Sequence, residues 1–294
     1  FSISYSKQSD VNSNYINQNY YNNYYNYAYG YGSSSNYYTD AYDPDKYVKM
    51  VNLSLGFGKR LRWPDDYFTF MAELNYTRYM LRSWNYFLIT DGNCNNINLS
   101  LSLQRNSTDH PFYPRKGSDF LFQVSFTPPY SLWDGRNYEK LANNYQSANY
   151  QKEMQEKYRW IEYHKWKLKF RNFTALSSAV KAPVLMTRVE FGILGAYNQH
   201  KKSPFETYYV GGDGMSGYDT YGSEIISLRG YENYSLTPTA SSNYNTTGNY
   251  YSGNVYDKFT VELRYPVVLQ PQSTIYALLF LEGGNCWSDI RDFN

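Results

Sequence analysis

From Val51 onward, apolar and polar residues change places with a period of two. Val51, Leu53, Leu55 and Phe57 alternate with Asn52, Ser54, Gly56 and Gly58; Phe68, Phe70, Ala72, Leu74 and Tyr76 alternate with Thr69, Met71, Glu73, Asn75 and Thr77. Ile97, Leu99, Leu101 and Leu103 alternate with Asn98, Ser100, Ser102 and Gln104. This is the pattern of strands with one apolar and one polar face. Further runs follow at 118–127, 161–175, 183–197, 255–267 and 273–286, and residues 1–7 read as the end of one more. The chain therefore predicts about nine strands and an all-β fold.

Three runs carry charge on the polar face. Trp166, Leu168 and Phe170 alternate with Lys165, Lys167, Lys169 and Arg171; Leu185, Thr187, Val189, Phe191 and Ile193 enclose Arg188 and Glu190. Phe259, Val261, Leu263 and Tyr265 alternate with Lys258, Thr260, Glu262 and Arg264. A water-soluble sandwich also alternates, so the connectors choose the solvent. Short ones (62–66, 177–182, 270–272) alternate with long Tyr/Asn/Gly-rich ones (8–46, 82–95, 131–160, 198–254). That rhythm, with strands of about ten residues, predicts a transmembrane antiparallel β-barrel, with Tyr and Trp near the strand ends as interfacial girdles. An open sheet cannot stand in lipid, because its edge amides lack partners, and bacterial barrels close with an even number of strands. Residues 1–294 thus read as part of a barrel domain, an internal piece of a longer chain.

Composition removes other classes. The 294 residues are 42% hydrophobic but 20% aromatic, so the large side chains of a folded protein are present. No run of about 18 apolar residues marks a membrane helix. A net charge of +2 gives no case for nucleic acid, and two cysteines, Cys94 and Cys286, cannot staple a domain of this size. His110, His164 and His200 lie far apart, so neither a metal nor any other cofactor is expected. No nucleophile motif is present, and no enzyme activity is expected. Gly212–Gly217 fits G-x-G-x-x-G, but no helix start follows, so Gly211 and Gly212 read as glycines turning the backbone at a barrel rim. The Tyr/Asn block within 8–46 reads as a surface loop or a docking patch.

Ser227-Leu228-Arg229-Gly230-Tyr231, inside the segment 198–254, resembles the V/L-R-G-F/Y motif in the longest extracellular loop of the BamA family of outer-membrane assembly proteins. Two further stretches agree. Phe112-Tyr113-Pro114-Arg115-Lys116-Gly117 is similar to the family's aromatic-Pro-Thr-x-Gly turn, with Arg115 in the Thr position, so Pro114 and Gly117 mark that turn. Phe280-Leu281-Glu282-Gly283-Gly284-Asn285-Cys286-Trp287 is similar to its F-x-D-x-G-x-x-W strand, with Glu for Asp. The resemblance spans roughly 47–294; residues 8–46 match nothing.

The resemblance implies a 16-stranded barrel, with POTRA domains and the first and last barrel strands outside this sequence. It implies that the loop folds into the lumen, where Leu228, Arg229, Gly230 and Tyr231 form a latch whose Arg229 pairs with Glu262 and Glu282. Gly230 is expected to allow close approach to the wall, and loss of Arg229 to strand both carboxylates at about 3–5 kcal/mol. It implies insertion of β-barrel proteins into the bacterial outer membrane without ATP. The implied partners are unfolded barrel substrates, accessory lipoproteins, periplasmic chaperones and the bilayer, with surface-exposed subunits on the Tyr-rich loops. The alternatives are a TamA-like or two-partner-secretion translocation pore or, in another class, a solute porin or surface adhesin.

Overall fold

The computed structural model describes residues 1–11, 42–84, 87, 89–141, 146–179, 181–214, 224–240, 250–270 and 272–293. Nine long strands form one antiparallel sheet: β1 (Ser2–Val11), β2 (Tyr42–Arg60), β3 (Phe68–Arg82), β4 (Gly92–Asn106), β5 (Lys116–Phe126), β6 (His164–Ala175), β7 (Val184–Gly195), β12 (Val255–Gln270) and β13 (Ser273–Trp287). Each pairs with the next in this order, and β7 reaches β12 across the long connector. That connector holds two small pairs, parallel β8 (Tyr209–Val210) with β9 (Ile225–Ile226) and antiparallel β10 (Thr239–Ala240) with β11 (Tyr250–Tyr251). Among the described residues no helix is long and apolar enough to cross a membrane, and the crossing elements are strands.

The register sorts the side chains by face. Leu53 lies opposite Tyr76, Tyr76 opposite Ile97, Leu99 opposite Phe126, Phe122 opposite Leu168 and Leu263 opposite Leu279. These apolar rows make one face, on which Leu55, Phe57, Leu74, Val261, Leu279 and Leu281 stand exposed. An apolar area so broad belongs in lipid rather than water. The opposite face carries Asn52, Glu73, Asn98, Ser100, Lys167, Glu190, Lys258 and Glu262, which line the lumen. Trp63, Tyr67 and Tyr265 are exposed near the short connectors, as an interfacial girdle requires.

The strands run longer than the ten-residue expectation: β2 has 19 residues, and β3, β4 and β13 have 15 each. Toward the long connectors the alternation inverts. Inward Tyr79, Leu81 and Cys94 are buried there, so the hydrophobic rhythm that marks mid-strand fades although pairing continues. The connector boundaries shift accordingly. Gln8–Val11 and Tyr42–Lys46 lie in β1 and β2, while the Tyr/Asn block between them lies outside the described residues.

The long connectors are not plain loops. Residues 127–163 contain α1 (Tyr130–Trp133) and α2 (Tyr150–Tyr158). With the described residues of 83–91 and 196–254 they close over the lumen around Trp84, Ile89, Met154, Tyr158, Ile161, Tyr163, Phe205, Tyr208 and Val210. Tyr79 stacks on Phe205 at 4.1 Å, and Tyr208 meets Tyr256 edge-on at 4.6 Å. The aromatic content that looked like loop composition supplies a packed lid.

Candidate functional site

The segment after β7 doubles back on itself inside the lumen. The Gly211 amide donates to the Ile226 carbonyl at 3.0 Å, Leu228 donates to Gly212 at 3.1 Å, and Gly212 donates to Tyr231 at 3.1 Å. Tyr231 N–H closes a reverse turn on the Leu228 carbonyl at 3.3 Å, with Gly230 at φ +91° in the third position, where such a turn needs a left-handed residue. A Cβ on Gly230 would meet nothing within 4 Å, so its role is conformational and not the close approach expected from sequence. Close approach belongs to Gly211 and Gly212 instead. Both are buried at positive φ, and added Cβ atoms would lie 2.4 Å from the Glu232 carbonyl and 2.2 Å from Asn233 Oδ1. They splice the motif to β8 and are not open rim turns. Met215, Ser216 and Gly217 of the glycine run lie outside the described residues.

Leu228, 1% exposed, anchors the turn, Tyr231 stands half exposed, and Arg229 extends to the wall. Arg229 Nη2 donates to Glu262 Oε1 at 2.7 Å and Nε donates to Glu282 Oε2 at 2.5 Å. Its guanidinium lies over the Phe280 ring, 3.8 Å from the centroid. Glu262 is on β12 and Glu282 on β13, both inward, with Phe280 directly across from Glu262. Each carboxylate has a second cation. Arg264 grips Glu262 Oε2 through Nε at 2.8 Å and Nη2 at 2.6 Å, and Lys258 Nζ lies 2.6 Å from Glu282 Oε1. Lys258 also donates to the Ser227 carbonyl, tying the loop backbone to the wall. Losing Arg229 would therefore strand neither carboxylate, which corrects the sequence expectation.

A second clamp of opposite polarity was not legible from sequence. The β6 lysines face the lumen, and acidic residues of the inward segment come to meet them. Lys167 pairs with Glu224, Lys169 lies 3.2 Å from Glu224 and 3.4 Å from Glu190, and Lys165 donates to the Glu206 carbonyl at 3.0 Å. Burial would raise the Glu224 carboxyl, but Lys167, Lys169 and Lys165 outweigh it and hold it below the ordinary carboxylate range. The loop thus carries a cation to acids on β12 and β13 and acids to cations on β6. Beside this clamp a polar cavity of about 440 Å³ is lined by Asn52, Glu73, Asn75, Asn98, Ser100 and Gln123.

At the other end of the barrel the turn between β4 and β5 reaches across the lumen. The buried Tyr113 hydroxyl donates to the Arg264 carbonyl at 3.2 Å, and its ring packs 5.2 Å from Tyr276 beside Phe173, Val184 and Met186. Buried Pro114 follows it, and Gly117 turns the chain at φ +102°, where an added Cβ would lie 2.2 Å from the Ser107 carbonyl. Gly117→Ala is expected to destabilise the barrel by about 1–3 kcal/mol, visible as a lower unfolding temperature in heat-modifiability gels; an unchanged temperature would contradict this geometry.

The lid has its own electrostatics. Lys201 and Glu162 form a buried pair at 3.4 Å, and Glu162 Oε2 also accepts from the Ser131 amide at 2.7 Å. Burial lowers the Lys201 ammonium below its usual value, against the pull of Glu162. Burial raises the phenols of Tyr138, Tyr163 and Tyr208, helped by Asp134, Glu206 and Glu224 respectively. Their folded values exceed those of an unfolded chain, so their stabilising effect is complete below about pH 10 and is lost as pH climbs through the raised values. Absorbance at 295 nm should show a lagging, cooperative group of tyrosines that ionises with loss of near-ultraviolet dichroism; ionisation in a single step with the dichroism retained would contradict the packed lid.

Cys94 and Cys286 are both free and buried. Among the described residues no group of three or more His, Cys, Asp or Glu is placed to hold a metal.

A family model described as Omp85 superfamily domain matches residues 1–293. Among solved structures, the chain is similar in fold to BamA from Haemophilus ducreyi lacking POTRA domains 1–3, with TM-score 0.56 and 19% sequence identity over 82% of this chain. The match covers 42% of that BamA chain, so the sequence spans about two-fifths of its length. No curated protein sequence matches.

Proposed function

The chain belongs to the Omp85 superfamily and is an outer-membrane β-barrel, and on that premise we propose that it forms part of the central barrel of a bacterial machinery that folds and inserts other β-barrel proteins. The observation that carries this reading is the docked loop, in which Arg229 joins Glu262 and Glu282. A solute porin needs an open aqueous channel through its strands. Here the inward segment and its aromatic lid occupy the lumen, which favours a barrel whose wall is the working surface.

In this reading the chain supplies no ATP-driven step and no covalent chemistry. Its docked loop stiffens the wall formed by β6, β7, β12 and β13. A seam elsewhere in a 16-stranded barrel then templates incoming strands by edge pairing. Unfolded barrel proteins are the substrates, delivered by periplasmic chaperones and accessory lipoproteins through POTRA domains. The Tyr-rich composition of the long connectors suits further surface subunits.

A translocation pore of the same superfamily is the second reading. It is favoured by one feature: the loop meets the β6, β12 and β13 wall through ion pairs, contacts that can re-form when a loop moves. Proteoliposomes carrying the full-length protein separate the two. The insertase reading expects a urea-denatured barrel client to acquire its heat-modifiable folded form several times faster than in empty liposomes. Equal rates, together with passage of an unfolded polypeptide into the vesicle interior, would transfer the assignment to the translocase.

A further inference from the structure

We propose that the lumen holds a binding site for a small oxyanion, centred on Arg188. One row of cross-strand neighbours crosses the sheet at this level: Asp119 opposite Arg171, Arg171 opposite Arg188, Arg188 opposite Thr260 and Thr260 opposite Glu282. All five side chains share the lumen face. Two arginines therefore stand side by side, an arrangement that is destabilising unless an anion separates the charges.

Arg188 is the most loosely paired of the neighbouring cations. Arg171 is held by Asp119, Lys169 by Glu190 and Glu224, and Lys258 by Glu282 at 2.6 Å. Among the described residues Arg188 pairs with Glu190 alone, at 3.7 Å through Nη1, beyond hydrogen-bond distance, with its side chain 26% exposed. Its Nε–H is buried with no acceptor among the described residues, and the Oγ1 of adjacent Thr260, 1% exposed, is likewise without a partner. An N–H buried without an acceptor is costly, and here it belongs to an arginine set directly beside a second arginine.

The space is there. A cavity of about 340 Å³ opens onto Arg188 and is lined by Lys169, Arg171 and Lys258 against Asp119 and Glu190. A planar guanidinium fork suits two oxygens of a phosphate or carboxylate, and Lys169, Arg171 and Lys258 stand round the same cavity, each already paired with an acid. The ligand class is thus a small phosphate- or carboxylate-bearing anion free in the lumen.

The test uses the full-length protein in detergent, titrated with inorganic phosphate at constant ionic strength against sodium chloride. The unfolding midpoint should rise saturably with phosphate and not with chloride. Arg188→Gln should abolish the rise while being at least as stable as the parent in phosphate-free buffer, since it removes the like-charge contact. Arg188→Lys, which keeps the charge but loses the fork, should bind about tenfold more weakly and serves if Arg188→Gln fails to fold. Equal stabilisation of parent and Arg188→Gln, an equal response to chloride, or a marked loss of stability in phosphate-free Arg188→Gln would overturn the site.

Discussion

Glu262→Ala is expected to lower barrel stability by about 3–5 kcal/mol, the largest loss from any single residue of the lumen network. Glu262 accepts from Arg229 through one oxygen and from Arg264 through the other, with its side chain 7% exposed. Its removal leaves two guanidinium groups facing a gap, with Glu282 as the nearest remaining acid and already shared with Lys258. Glu262→Gln should fall between the parent and the alanine variant, because the amide keeps one acceptor oxygen but loses the charge. Urea unfolding in bilayers measures both. A Glu262→Ala variant within about 1 kcal/mol of the parent would mean that the pair is open to solvent and worth little.

Arg229→Glu should have the second-largest effect, and a different one. It sets a third carboxylate against Glu262 and Glu282, so the loop is repelled rather than merely released. Arg229→Ala should cost only about 1–2 kcal/mol, because Arg264 and Lys258 still neutralise the two acids. In cells relying on the variant alone, Arg229→Glu should deplete folded outer-membrane proteins and expose the segment around 224–240 to external protease. Arg229→Ala should do so weakly. Adding Glu282→Arg to Arg229→Glu should restore part of the protection by re-forming a pair with reversed charges. Wild-type protein levels and protection in Arg229→Glu would separate the loop from function.

The outer face was legible because lipid imposes a period of two on every spanning strand, and stripes such as Val51-Leu53-Leu55-Phe57 carry that period without interruption. The pairing of Arg229 with Glu262 and Glu282 was reachable from the motif resemblance plus alternation, which puts both acids on the lumen face. Alternation also puts Lys258 and Arg264 on that face. It cannot say which of several inward charges meet, since that depends on register between strands and on the loop's path. The Lys167–Glu224 clamp joins residues 57 positions apart, one of them in a segment with no periodicity, so no local pattern announced it. The lid was hidden for a related reason. Its core of Trp84, Tyr163, Phe205 and Tyr208 is scattered over three connectors whose composition resembles that of solvent-exposed loops. Glycine serves the backbone at all three positions, but positive φ at Gly230 and crowding at Gly211 and Gly212 are properties of the folded chain that the sequence does not display.

The most direct measurement is a cryo-electron microscopy structure of the full-length protein in lipid nanodiscs, at a resolution that shows side chains around residue 229. The docked-loop account predicts the Arg229 guanidinium within hydrogen-bond reach of both Glu262 and Glu282, lying over the Phe280 ring, with Lys258 and Arg264 on the far oxygens. A loop lifted out of the lumen, with Arg229 in bulk water and the two glutamates held only by Lys258 and Arg264, would contradict it.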